Sequence, residues 1–151
     1  LILLLVINGT LILYYMADIL VKGRGWAWII DTLPMFLGAF LGGVILSFTY
    51  TSIGLSLSSI SRGKFFPAIG LIAILMGTKS VAAIIDNLFD NSILYVISPF
   101  DSVCHVVQEL LGIEPTYSHP WAWSLVSIAI VNILALYLLA NRVSSMEVTR
   151  E

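Results

Sequence analysis

Charge is what this sequence has least of. Of its 151 residues only 11% are Asp, Glu, Lys or Arg, 59% are hydrophobic, and the mean hydropathy is +1.01. Soluble domains carry about 25% charged residues. A chain with less than half that allotment cannot cover a water-facing surface, whereas lipid solvates apolar side chains and removes the need. The seven Lys and Arg residues form no cluster, and the net charge is −2, which excludes the basic footprint of a nucleic-acid-binding protein. A single cysteine, Cys104, excludes an internal disulfide and a cysteine-rich metal site. No glycine-rich loop ends in Gly-Lys-Ser or Gly-Lys-Thr, which excludes ATP binding of the Walker type. Residues 1–20 lack a basic leader and a small-residue cleavage site, so they do not read as a signal peptide. The sequence begins at Leu1 without a methionine and is apolar from there, as expected of a piece whose N-terminal part lies elsewhere.

Long apolar runs are what it has in abundance. A helix needs about 20 such residues to cross about 30 Å of hydrocarbon. Four segments qualify, at about 1–20, 28–56, 66–85 and 121–140. The second exceeds the need and is expected to tilt or to protrude. The fold class expected is all-α, a polytopic transmembrane helical bundle in one domain. Arg62 and Lys64 lie between the second and third spans, and Arg142 and Arg150 in the tail, on one side; positive residues favour the cytoplasm there. The segment from 86 to 120 holds Asp86, Asp90, Asp101, Glu109 and Glu114 with no Lys or Arg, and belongs outside. Lys22 and Arg24 run against this assignment. The expected location is the plasma membrane, multi-pass, with a cytoplasmic C-terminus and the lipid bilayer as a partner. Trp26, Trp28, Tyr117, Trp121 and Trp123 fall at the outer border, and Phe65 and Phe66 at the inner one, where amphipathic rings prefer to sit.

The outer segment contains a helix signal. Ser98 can cap, Pro99 suits the first position, Asp101 follows three residues after the cap, and Gly112 is a natural stop. Over about 98–111, Phe100, Val103, Cys104, Val106, Val107, Leu110 and Leu111 share one arc, and Asp101, Ser102, His105, Gln108 and Glu109 the other. A helix this short lies in the interface, dips in as a re-entrant element, or packs on the spans of its own chain.

Candidate site residues are few, and no catalytic or cofactor constellation stands out. His105 and Glu109 are four apart, but two ligands without a third read as a solvated face rather than a metal site. His119 precedes a proline and reads as a headgroup-zone residue. Cys104 reads as a small hydrophobe. Gly38 and Gly42 form a small-xxx-small face for close helix approach, either within the subunit or in a dimer or channel contact. Pro34 falls near a span start that Asp31 or Thr32 could cap. Lys79 is the sharpest signal, a charge inside a span. It can snorkel outward, or be compensated by Asp86, two turns later on nearly the same face, or by Asp31 on the preceding span.

The order of features has a family likeness. A long small-residue-rich span ends in GLSLSSISRGKFFPAIG (Gly54–Gly70). An outside stretch then carries LYVISPFDSVCHVVQELLG (Leu94–Gly112), and a last span leads into NRVSSMEVTRE. This resembles the membrane subunit of type-2 ABC transporters, the exporter-like permeases, from about Gly38 to the end. The resemblance implies spans three to six of a six-span permease. It also implies a separate ATP-binding ABC subunit and a second permease copy or homologue as partners, and movement of an unidentified substrate. A non-transport membrane anchor or assembly protein is the alternative. An intramembrane enzyme is a further one, although no Ser with His, acid pair or metal cluster is visible at membrane depth.

Overall fold

Every element of the computed structural model is helical among the residues it describes, which are 2–23, 25–61, 63, 65–89 and 92–147, without the side chains of 3, 26, 27 and 145–147. Arg24, Arg62, Lys64, Asp90 and Arg150, which entered the charge reading above, lie outside the described residues. The elements run α1 (Ile2–Lys22), α2 (Trp26–Ile60), α3 (Phe66–Phe89), a 3-10 helix (Ser92–Ile97), α4 (Pro99–Leu110) and α5 (Trp121–Glu147). Of these, α1, α2, α3 and α5 are long and apolar enough to cross a membrane.

The distribution of polarity supports an apolar surround. Among the described residues the buried hydrophobic ones are Ile53, Ala82, Val103, Val106, Ile128 and Ala135, whereas twelve polar or charged residues are buried, among them Thr49, Ser52, Asp101, His105 and Asn132. The outside carries Leu5, Leu13, Ile30, Leu41, Ile72, Val81, Ile133 and Leu134, each about half exposed or more. A globular protein in water shows the reverse. Such a chain is stable where the solvent is hydrocarbon and the interior is the one place that backbone and side-chain polar groups find partners.

The longest helix, α2, touches the other four α-helices. It starts at Trp26, earlier than the sequence suggested, with Gly25 at its cap and no side-chain cap bond. Asp31 and Thr32 therefore do not cap it, and Pro34 sits inside the helix, where the missing N–H leaves the Ile30 carbonyl without its helical donor. The early start is held by α1: the Tyr15 ring stacks on Trp28 at 5.4 Å, and its hydroxyl lies 2.6 Å from Thr32 Oγ1. The Thr32 hydroxyl donates to the Trp28 carbonyl at 2.7 Å. This is tertiary support for a turn whose local signals are weak.

Three glycines on α2 admit its neighbours. A Cβ at Gly38 would fall on the Leu110 carbonyl, one at Gly42 on the Val107 side chain, and one at Gly43 on Asn8 of α1. The small-residue face is thus filled by α4 of the same chain. These contacts run α4 antiparallel to α2, its end at Gly38 and its start further along. At 1.5 Å per residue its 12 residues span about 18 Å, about three-fifths of what a crossing requires.

Candidate functional site

The start of α4 is built as its residues dictate. The Ser98 hydroxyl accepts from the Asp101 amide at 3.4 Å and lies 2.6 Å from Asp101 Oδ2, and Pro99 fills the first helical turn. At the other end Gly112, at φ 65°, closes a Schellman motif: the Ile113 amide donates to the Gln108 carbonyl and the Gly112 amide to that of Glu109. Both arcs of the helix are then covered. Val103 and Val106 pack with Ile128 of α5, flanked by Ile45 and Leu46 of α2. On the polar side, segment 113–120 folds back over α4. Gln108 clamps it through both the Thr116 amide (3.2 Å) and the Thr116 hydroxyl (2.9 Å).

This overturns one expectation. His105 is 1% exposed and not on a solvated face, because α4 is wedged against α5 with a loop across its polar arc. His119 is likewise buried, 8% exposed. Tyr117 is half-buried and turns inward, while Trp121 and Trp123 are exposed.

A connected polar cluster results. Lys79 Nζ lies 3.6 Å from Asp101 Oδ1 and 4.5 Å from the centroid of the Phe100 ring. The Tyr117 hydroxyl donates to the same Asp101 oxygen at 2.7 Å. Lys79 stands ten residues before the last residue of α3, about 15 Å in along the axis. Its partner arrives on α4. Asp86 lines the same recess as Lys79 and Asp31 is exposed on α2, but the ion pair formed is with Asp101, not with either of the two acids that the sequence suggested. Asp101 is 1% exposed, so its carboxylate depends on these three partners: an ammonium, a phenol and a serine hydroxyl. Burial first, and then the bond to Asp101, raise the Tyr117 hydroxyl well above the ordinary phenol range and keep it a donor.

Behind Tyr117, His105 Nδ1, His119 Nε2 and Ser124 Oγ lie within 3.0–3.1 Å of one another. His119 Nδ1 is buried without a hydrogen-bond partner. A bare lone pair there costs less than an orphaned N–H. That choice makes the His119 Nε2–H a donor to Ser124, which in turn donates to His105 Nδ1. Burial lowers both imidazole pKa values, opposed at His105 by Glu109 and reinforced at His119 by His105. The histidines are neutral. Ser124 is fully buried, so no substrate carbonyl reaches its hydroxyl while α4 and α5 stay packed. Among the described residues no three His, Cys, Asp or Glu side chains assemble as metal ligands. Cys104 has its thiol pKa raised, by burial first and by Asp101 next, which keeps it an unreactive thiol.

No protein-family model, curated protein or solved structure matches this chain.

A second polar layer joins α2 to α5. Asn132 Oδ1 lies 2.5 Å from Ser52 Oγ, and its amide donates to Thr49 Oγ1 at 3.2 Å and to the Ile128 carbonyl at 2.8 Å. Sequence reasoning missed this layer, although Thr49, Ser52 and Ser56 recur at helical spacing and Asn132 is a lone amide within an apolar run. It also missed Ser124 as a histidine partner, for which nothing in the order of residues gave a signal.

Proposed function

We propose that this chain is part of the membrane permease of a transporter, with four transmembrane spans and α4 as a short, re-entrant helix. The observation that carries the reading is Asp101. A carboxylate 1% exposed sits at the start of a helix too short to cross, held by a lysine from inside an apolar span. Ionisable groups inside apolar helices are costly and mark substrate or ion paths. Broken or half-length helices that carry polar groups to mid-membrane are a recurring device of transport sites. The likeness of Gly54–Gly70 and Leu94–Gly112 to type-2 ABC permeases favours a separate ATP-hydrolysing subunit, a second permease copy or homologue, and the plasma membrane with the C-terminus in the cytoplasm.

The test is biochemical. The chain, solubilised gently from its native membrane, is expected to bring with it an ATP-hydrolysing subunit. Removing that subunit should leave background ATPase only, because the chain has no phosphate-cradling loop. A native preparation with no ATP-hydrolysing partner would remove the ABC reading. Activity that persists in the stripped chain would remove it too.

A further inference from the structure

The recess beside Lys79 has features that the permease reading leaves unexplained. Its volume is about 280 Å³, and Lys79, Asp86, Ser92, Tyr95, Asp101, Thr116 and Tyr117 line it. It holds two carboxylates and one ammonium, so its charge is −1. The ammonium is committed, to Asp101 at 3.6 Å and to the Phe100 ring. Asp86, hydrogen-bonded to the Tyr95 hydroxyl, has no further cation beside it among the residues that line the recess. The Tyr95 and Tyr117 rings stand 5.1 Å apart, tilted by 44°. Burial and then the Asp86 charge raise the Tyr95 hydroxyl pKa, so Tyr95 presents a neutral phenol toward that carboxylate.

We infer that this recess binds a small organic cation, its ammonium set between the Asp86 carboxylate and the Tyr95–Tyr117 rings. A carboxylate attracts the charge, and aromatic faces add a cation–π contribution. Hydroxyls of Ser92 and Thr116 at the rim can accept from a primary ammonium. An anion fits badly: the single cation is already paired, and two carboxylates repel it. A volume just below that of drug-sized ligand sites suits a compact head group. The ammonium can belong to a free amine or to a zwitterionic lipid head group; the recognition chemistry is the same. The inference deepens the permease reading by naming a ligand class for its polar site, and its assay needs no ATPase, so the two fail separately.

The experiment uses the full chain in phosphatidylglycerol nanodiscs, with methylammonium and tetramethylammonium as probes and acetate as the anionic counterpart. Saturable binding is read by saturation-transfer NMR. At least one ammonium probe is expected to bind and acetate is not. Asp86→Asn should weaken binding at least tenfold, and Asp86→Glu should restore part of it. Lys79→Met should tighten it by freeing Asp101; if that variant misfolds, Lys79→Met with Asp101→Asn should still bind through Asp86. Competition by added phosphatidylethanolamine assigns the lipid source, and no competition assigns the free amine. Absence of ammonium binding overturns the inference. So does an Asp86→Asn variant with unchanged affinity, or acetate binding that Lys79→Met abolishes.

Discussion

At the scale of single residues, two charge states decide most of the behaviour. Asp101 is buried and Lys79 is 44% exposed, so removing Lys79 leaves a 1% exposed carboxylate with only the Tyr117 and Ser98 hydroxyls as partners. Lys79→Met is expected to lower stability by roughly 1–3 kcal/mol, the cost of an undercompensated buried group softened by the partial exposure of the lysine. Adding Asp101→Asn should recover part of the loss, read as the unfolding midpoint in detergent; a double variant no better than Lys79→Met would show that the pair is not coupled. The histidines carry the pH dependence. Both have folded pKa values below the usual 6.5, chiefly through burial. The unfolded chain then binds protons first as pH falls, so their contribution is complete above pH 6.5 and is lost below it. Melting temperature should fall between pH 7 and 5, above the carboxylate range. His119→Gln should flatten that fall, and a slope unchanged by it would place the titration elsewhere.

At the scale of elements, α4 depends on how closely α2 lets it approach. Gly38 faces a backbone carbonyl at 2.2 Å from an added Cβ, whereas Gly42 faces a valine methyl at the wider 2.8 Å, which a smaller shift relieves. Gly38→Ala should cost roughly 2 kcal/mol, and Gly42→Ala less. Gly54 has nothing within 4 Å of an added Cβ, so Gly54→Ala should be neutral or stabilising by up to about 1 kcal/mol through helix propensity. Thermal unfolding of the three variants checks the order, and a Gly38→Ala protein as stable as Gly54→Ala would place α4 elsewhere. The ends of α4 were legible in the sequence, since Ser98-Pro99 and Gly112 act within a turn of where they stand. Its surroundings were not. An amphipathic pattern separates two arcs but does not say that a returning loop will cover the polar one.

At the scale of the whole molecule, the proposed topology places residue 58 and residue 87 on opposite sides. With Cys104 replaced, Asn87→Cys should react with an impermeant reagent applied outside, and Ser58→Cys only after permeabilisation. The opposite pattern would invert the orientation. The chain should also stay with membranes under alkaline extraction, because its open face is apolar along all four long helices.

The sequence by itself determined the helical class, the four long apolar elements to within a few residues, and the caps of α4. Each rests on composition, run length or contacts within one turn, which neighbouring residues decide among themselves. The tertiary structure alone decided that Lys79 meets Asp101, that Tyr117 joins that pair to His105 and His119, and that Asn132 bonds to Thr49 and Ser52. Apart from the local Tyr117–His119 ring contact, these link residues 12 to 83 positions apart, on elements whose relative depth no local pattern encodes. The physical reason is the shortness of α4. The short α4 brings the carboxylate at its start to the level of Lys79 in α3, and that level is set by the fit of Val107 and Leu110 against Gly42 and Gly38.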